Sequence, residues 1–239
     1  MLGKKKAYPL FVLFATLVFG TAAGPARAGM QISGIEWANL SPLCKSQLSM
    51  SIYASLVPPE LRISREAALE YSRQAPGGLP GGHHFCAGLI HLSRAMHGAG
   101  SYATAISEME YTQNQMETTE PLFSYVNSHL GKAYYRSGKR AAAMRLWGLG
   151  ISAQPTHREC YLAMAEALLS EHRPQEALDV LLKFDEAKEV EYADVEHFIA
   201  QTYFDLKKYD QAKAHVEKAY ALGYPVFGLR EKLKRIGKY

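Results

Sequence analysis

The densest group of side chains able to do chemistry is His83-His84-Phe85-Cys86, with His91 and His97 a little further on. Imidazole and thiolate suit zinc. One reading is therefore a metal-binding or enzymatic protein that uses His83, His84 and Cys86. Against it, the two histidines are adjacent at the end of a glycine-rich stretch, and no second Cys/His pair has ligand spacing. His91, five residues after Cys86, points to a different side of a helix. The plainer expectation is a helix start fixed by a disulfide through Cys86, its histidines half exposed and no metal bound. Cys160 and His157, three apart on one helix, have the makings of a nucleophile and base. Their neighbouring acid, Glu159, faces elsewhere. The acidic pairs Glu108/Glu110 and Glu189/Glu191 read as solvated helix faces and turns. No H-E-x-x-H, P-loop, G-x-S-x-G or G-x-G-x-x-G occurs, so the residues point away from an enzyme and imply no cofactor.

The compartment is written at the N-terminus. Lys4, Lys5 and Lys6 precede an apolar run from Tyr8 to Ala23, and Ala26-Arg27-Ala28 has the small-x-small form of a cleavage site. Pro9 lies in the run and Gly20 and Gly24 interrupt its end. The uninterrupted core is then shorter than the roughly 20 residues of a spanning helix. Residues 1–28 read as a signal peptide cleaved after Ala28, leaving a mature protein in the periplasm or outside the cell. No Cys follows the run to carry a lipid, and no later stretch is apolar enough to cross a bilayer. The chain of 239 residues has 27 Lys and Arg against 23 Asp and Glu; four of the cations fall in residues 1–28, where there is no acid, so the remainder is neutral. That balance excludes a typical nucleic-acid binder, whose affinity rests on excess Lys and Arg. With 48% hydrophobic and 21% charged residues, a globular chain is expected.

An oxidising compartment permits disulfides. The cysteines are Cys44, Cys86 and Cys160, with no C-x-x-C among them, so neither a thioredoxin-type site nor a haem attachment is indicated. Cys44 and Cys86 lie outside the regular part of the chain and form the favoured pair; the other two pairings stay open at this level. Cys160 falls on an apolar helical face and reads as a buried thiol.

The elements that must position these groups are announced by a repeat. Gly131, Ala165 and Ala200 are small residues spaced by 34 and 35. Each is followed three positions later by a large residue (Tyr134, Leu168, Tyr203) and twelve positions later by Ala143, Ala177 or Ala212. Trp147, Leu181 and Val216 then sit four residues after each of those alanines. This pattern resembles the tetratricopeptide repeat (TPR), a helix–turn–helix unit of 34 residues. A small residue in the first helix lets the second approach, and the large neighbour fills the space beside it. Pro155 and Pro225 fall near repeat boundaries. Gly150 and Phe184 depart from the pattern seven positions after the alanine, whereas Ala219 keeps it. An earlier unit runs from Leu92-Ser93-Arg94-Ala95-Met96 to Ser101–Ile106, with Ser93 as its small residue and Met109 as its later bulky one. It carries about four extra residues, placed in Gln113–Glu120.

The resemblance implies an all-α fold: a TPR helical-hairpin superhelix of about four repeats with a C-terminal capping helix. The expected order is the signal peptide (1–28), an N-terminal segment with a Gly/Pro-rich linker (29–82), repeats over 83–225 (approximately 86–119, 124–157, 158–192 and 193–225) and the capping helix (226–239). Val226, Leu229, Leu233 and Ile236 recur at helical spacing, giving the cap an apolar face. In the N-terminal segment, Ser64 is placed to cap a helix over Ala67–Arg73, and a further helix is possible around Lys45–Leu56. Pro76–Gly82 reads as a loop.

The resemblance also implies where function sits. First helices of such repeats line a concave groove that holds an extended or helical peptide. Mapped here, the groove residues are Arg94 and His97, then Tyr125, His129, Lys132, Tyr135 and Arg136, then Glu166, and finally His197, Gln201 and Phe204. The family's clamp for a C-terminal carboxylate is not matched, because Lys132, Glu166 and Gln201 stand at its positions and no Asn appears. The expected function is a non-catalytic scaffold or assembly factor holding a protein or peptide of the cell envelope, in export, pilus assembly or polysaccharide secretion. Arg94, Lys132 and Arg136 suggest a ligand with an acidic segment.

Overall fold

A computed structural model describes residues 31–73, 78–224 and 228–239. The described residues from Ile32 onward form one compact unit. The signal peptide expected over residues 1–28 and its expected cleavage site lie outside the described residues, as do Pro76, Pro225 and Val226.

The chain enters through α1 (Gly34–Asn39) and α2 (Pro42–Ser49), two 3₁₀ turns (Ile52–Leu56 and Pro59–Leu61) and α3 (Arg65–Arg73). Each helix start has a local cause. Ser33 and Glu36 form a reciprocal capping box on α1, and Ser41 caps α2 ahead of Pro42. Ser64 Oγ accepts from the Ala67 amide at 3.1 Å, the cap expected there. The sequence expectation of a helix over Lys45–Leu56 is resolved into the end of α2 and a 3₁₀ turn, and α1 was not foreseen.

Four helical hairpins follow: α4 (Gly82–Met96) with α5 (Tyr102–Gln113), α6 (Phe123–Arg136) with α7 (Arg140–Ala153), α8 (Glu159–Ser170) with α9 (Pro174–Ala187), and α10 (Ala193–Asp205) with α11 (Tyr209–Ala221). The last helix, α12 (Gly228–Arg235), packs on α11. No strand occurs among the described residues, and the fold is all-α.

The four hairpins turn by one device. Gly98, Gly138, His172 and Lys207 all take the left-handed conformation, with φ between 59° and 85°. The amide of the next residue returns to the fifth carbonyl before it: Lys139 to Tyr134, Arg173 to Leu168 and Lys208 to Tyr203, each at 2.9 Å. These are Schellman-type helix ends. Only two of the four positions use glycine.

Close crossing is paid out in missing side chains. A Cβ on Gly131 would fall well inside contact distance of the Trp147 indole. That ring is fully buried, and its Nε1 donates to the Ser128 carbonyl at 3.1 Å. Ala165 and Ala200, the matching residues of the next two hairpins, are also fully buried. The first hairpin differs from expectation. Ser93 is exposed; the small residue at the crossing is Gly88, whose added Cβ would lie 2.6 Å from Met109 Cγ. The turn after α4 is also longer by two residues than those of the other hairpins. The link from α5 to α6 has nine residues (114–122) against five in the two later links, so the extra length falls where the polar stretch suggested.

The departures at Gly150 and Phe184 have their own packing. Gly150 leaves room for the Cys160 sulfur of the next hairpin. Phe184 is fully buried between Tyr161 and Tyr192, with ring centroids 5.2 and 5.9 Å away. It fills the junction between the third and fourth hairpins. First helices meet in order, α4 with α6, α6 with α8 and α8 with α10, so they form one continuous row.

Candidate ligand cleft and the face of first helices

At the start of that row lies a cleft of about 830 Å³. Its walls come from α1 and the residues beside it (Ser33 to Ser41), from α4 (Leu89, Ile90, Ser93, Arg94) and from α6 (Tyr125, His129), with His97 and Ala99 at the rim. The disulfide positions the first wall. Cys44 in α2 and Cys86 in α4 are bonded, Cα to Cα 5.3 Å, and both are buried. Cys160 is the free, buried thiol; burial pushes it up to about 12, so it is no nucleophile.

Arg94 fastens α1 to α4. Its Nε and Nη2 donate to the two Glu36 oxygens at 2.5 and 2.9 Å, in a bidentate pair. Glu36 also accepts from the Ser33 amide at 2.8 Å. The Arg94 bonds foremost hold this carboxyl down at about 2. Arg94 is thus engaged within the chain rather than held out to an acidic peptide.

Deeper in the cleft three rings meet. Tyr125 and His129 lie edge to face with centroids 4.7 Å apart, and Phe85 is 5.6 and 5.8 Å from them. Burial lowers the His129 imidazole to about 4, so it is neutral at physiological pH. It makes no hydrogen bond to any described residue. Burial likewise raises the Tyr125 phenol. His97, exposed at the end of α4, has Nδ1 2.8 Å from the Ser93 carbonyl.

The other groove residues are brought onto the row but are held by one another. Glu166 receives Lys132 Nζ at 2.9 Å and lies 3.6 Å from Arg136. Lys132 and Arg136, two of the cations that suggested an acidic ligand, therefore already share an internal carboxylate. Tyr135 reaches from α6 to the end of α8, with its hydroxyl 2.8 Å from Ser170 Oγ and 3.1 Å from Glu171. His197 stacks on Tyr224 at 4.2 Å, Gln201 donates to Asp205 at 2.9 Å, and Phe204 packs on the cluster capped by Leu229 and Leu233. These three residues do not share the cleft.

In the His83–Cys86 cluster the disulfide leaves Cys86 no thiolate to offer a metal. His84 Nδ1 is instead 2.7 Å from Glu108, with the Tyr53 hydroxyl 3.4 Å from each. Glu108 is thus a structural partner joining the N-terminal segment to the first hairpin, not a solvated face; Glu110 likewise accepts from Tyr134. Among the described residues Asp185, Glu191 and Glu196 have the mutual spacing of metal ligands. The Lys188 ammonium sits among them at 2.5, 2.5 and 3.2 Å. Fully buried Glu196 also holds His215 Nδ1 at 2.6 Å. Their geometry is that of a caged ammonium tying α9, α10 and α11 together.

The α1 wall and the His84–Glu108 contact were invisible in sequence because they join residues 24 to 58 positions apart without periodicity. The one available signal was Ser33-x-x-Glu36, which is a capping box.

Neither a protein-family model nor a curated protein matches this chain. Among solved structures it is similar to a mutant of MamA, at 17% identity over 66% of this chain and 88% of that one, with a TM-score of 0.44.

Proposed function

We propose that this chain is a non-catalytic scaffold or assembly factor that binds a protein or peptide on its row of first helices, in the periplasm or outside the cell. The observation that carries this reading is the cleft of about 830 Å³ at the head of an otherwise self-satisfied row. Concave, largely apolar sites with a few convergent polar groups are where ligands bind. The Cys44–Cys86 bond supports an oxidising compartment, and no helix among the described residues is long and apolar enough to cross a membrane. The chemistry-bearing groups among the described residues are a buried thiol, paired carboxylates and, in the cleft, histidines without a nucleophile or acid hydrogen-bonded to them, which favours binding over turnover.

The test is site-specific photocrosslinking in the native host. A photoreactive residue at Ser93, in the cleft, is expected to give one discrete adduct in the periplasmic fraction. The same residue at exposed Lys218 on α11 gives none. Equal labelling from both positions, or no adduct from Ser93, counts against the reading.

A further inference from the structure

The partner's chemistry follows from the cleft, on the reading that the cleft is a binding site. We infer that it takes an uncharged, apolar peptide segment, with His129 bonded to a backbone amide of that segment, rather than an acidic one.

Three observations lead there. First, the charges in the walls cancel. Glu36 and Arg94 are paired through two bonds of 2.5 and 2.9 Å, so a ligand carboxylate would have to compete with a bidentate partner already in place. Second, the surfaces between the charges are apolar: Leu40 and Leu89 on opposite walls, with Ile90 and Tyr125 beyond. A space of about 830 Å³ lies in the range that encloses several side chains. Third, the cleft holds an imidazole without a hydrogen-bond partner among the described residues. The His129 imidazole lines the cleft, packs against the Phe85 and Tyr125 rings and holds no hydrogen bond to a described residue. A neutral imidazole offers one donor and one acceptor. That pair matches the N–H and C=O of an extended backbone, which every peptide carries without charge.

The experiment titrates the full mature protein, disulfide intact, with acetyl-Gly-Leu-Ala-Phe-Ser-Leu-Gly-amide and with the same peptide carrying Asp in place of Phe, by calorimetry. The neutral peptide is expected to bind one to one, and the acidic one at least tenfold more weakly. Ser93→Trp fills the cleft from an exposed position and abolishes binding with an unchanged melting curve. His129→Leu keeps the apolar wall and weakens binding several-fold. Equal or tighter binding of the acidic peptide overturns the inference, as does binding that survives Ser93→Trp or an absence of saturable binding at millimolar concentration. A crosslinked partner from Ser93 whose captured segment is acidic would sink this inference while leaving the scaffold reading intact; no adduct at all would sink the scaffold reading.

Discussion

Two glycines one helix apart should respond in opposite directions to added bulk. Gly131→Leu would force a side chain into the Trp147 indole, and overpacking of this kind costs about 1–3 kcal/mol or more. Gly148, on α7, has open space around its would-be Cβ. Gly148→Ala is expected to stabilise by about 0.5–1 kcal/mol through helix propensity alone. Urea titrations of both variants check the contrast. A third residue makes stability depend on pH. His129 has a folded pKa of about 4, below the ordinary value of about 6.5. As pH falls from 6.5 towards 4, the unfolded chain takes up a proton that the folded chain refuses. The His129 contribution to stability therefore falls across that window, by up to about 1.4 kcal/mol per pH unit, and is constant above it. Burial lowers His83, His91 and His197 in the same direction, so His129→Leu should flatten the slope without abolishing it. Little of this was legible in the residues themselves. The small-to-large pairing of Gly131 and Trp147 was, because both lie on a periodic pattern. The desolvation of His129 was not, because it depends on rings brought from two helices.

At the scale of elements, the hairpin turns carry an avoidable strain. His172 and Lys207 hold φ near 60°, where glycine rests without cost and L-residues lose about 1 kcal/mol or more. Lys207→Gly and His172→Gly are each expected to raise the thermal midpoint, as measured by calorimetry, the opposite of glycine's usual effect near a helix. The four hairpins could be read from sequence because a crossing needs a small residue, a bulky one and an alanine at fixed distances. That logic failed at Ser93. The crossing falls at Gly88 instead, five positions before Ser93, in a hairpin whose turn is also longer by two residues, and a pattern matched at constant offset cannot register a changed spacing. The short helix α1 escaped for a different reason. With six residues it has too few turns to show an apolar period, and it owes its place to Glu36 and Arg94.

Across the whole molecule, stability is distributed unevenly. One buried cluster joins Ile32, Trp37, Cys44 and Leu48 to Phe85, Met109 and Leu130, so the N-terminal segment and the first hairpins share a core. The Cys44–Cys86 bond, spanning 42 positions, contributes about 4 kcal/mol on the chain-entropy model. A Cys44→Ala/Cys86→Ala double variant should lose stability on that order in urea and lose binding of the proposed apolar peptide before global unfolding, since the bond anchors the cleft's outer wall. Sequence arithmetic favoured this pair without excluding the others; only the approach of α2 to α4 decides it.

The remaining sulfur makes the molecule its own reporter. Cys160 is sealed where the second and third hairpins abut, its sulfur seated over Gly150 and bonded to the Ser124 carbonyl at 3.2 Å. An alkylating reagent can reach it only when that joint gapes. Its labelling rate, read by mass spectrometry on the unmodified protein, therefore times the breathing of the array at one hinge line. A partner that clasps both hairpins should slow that clock.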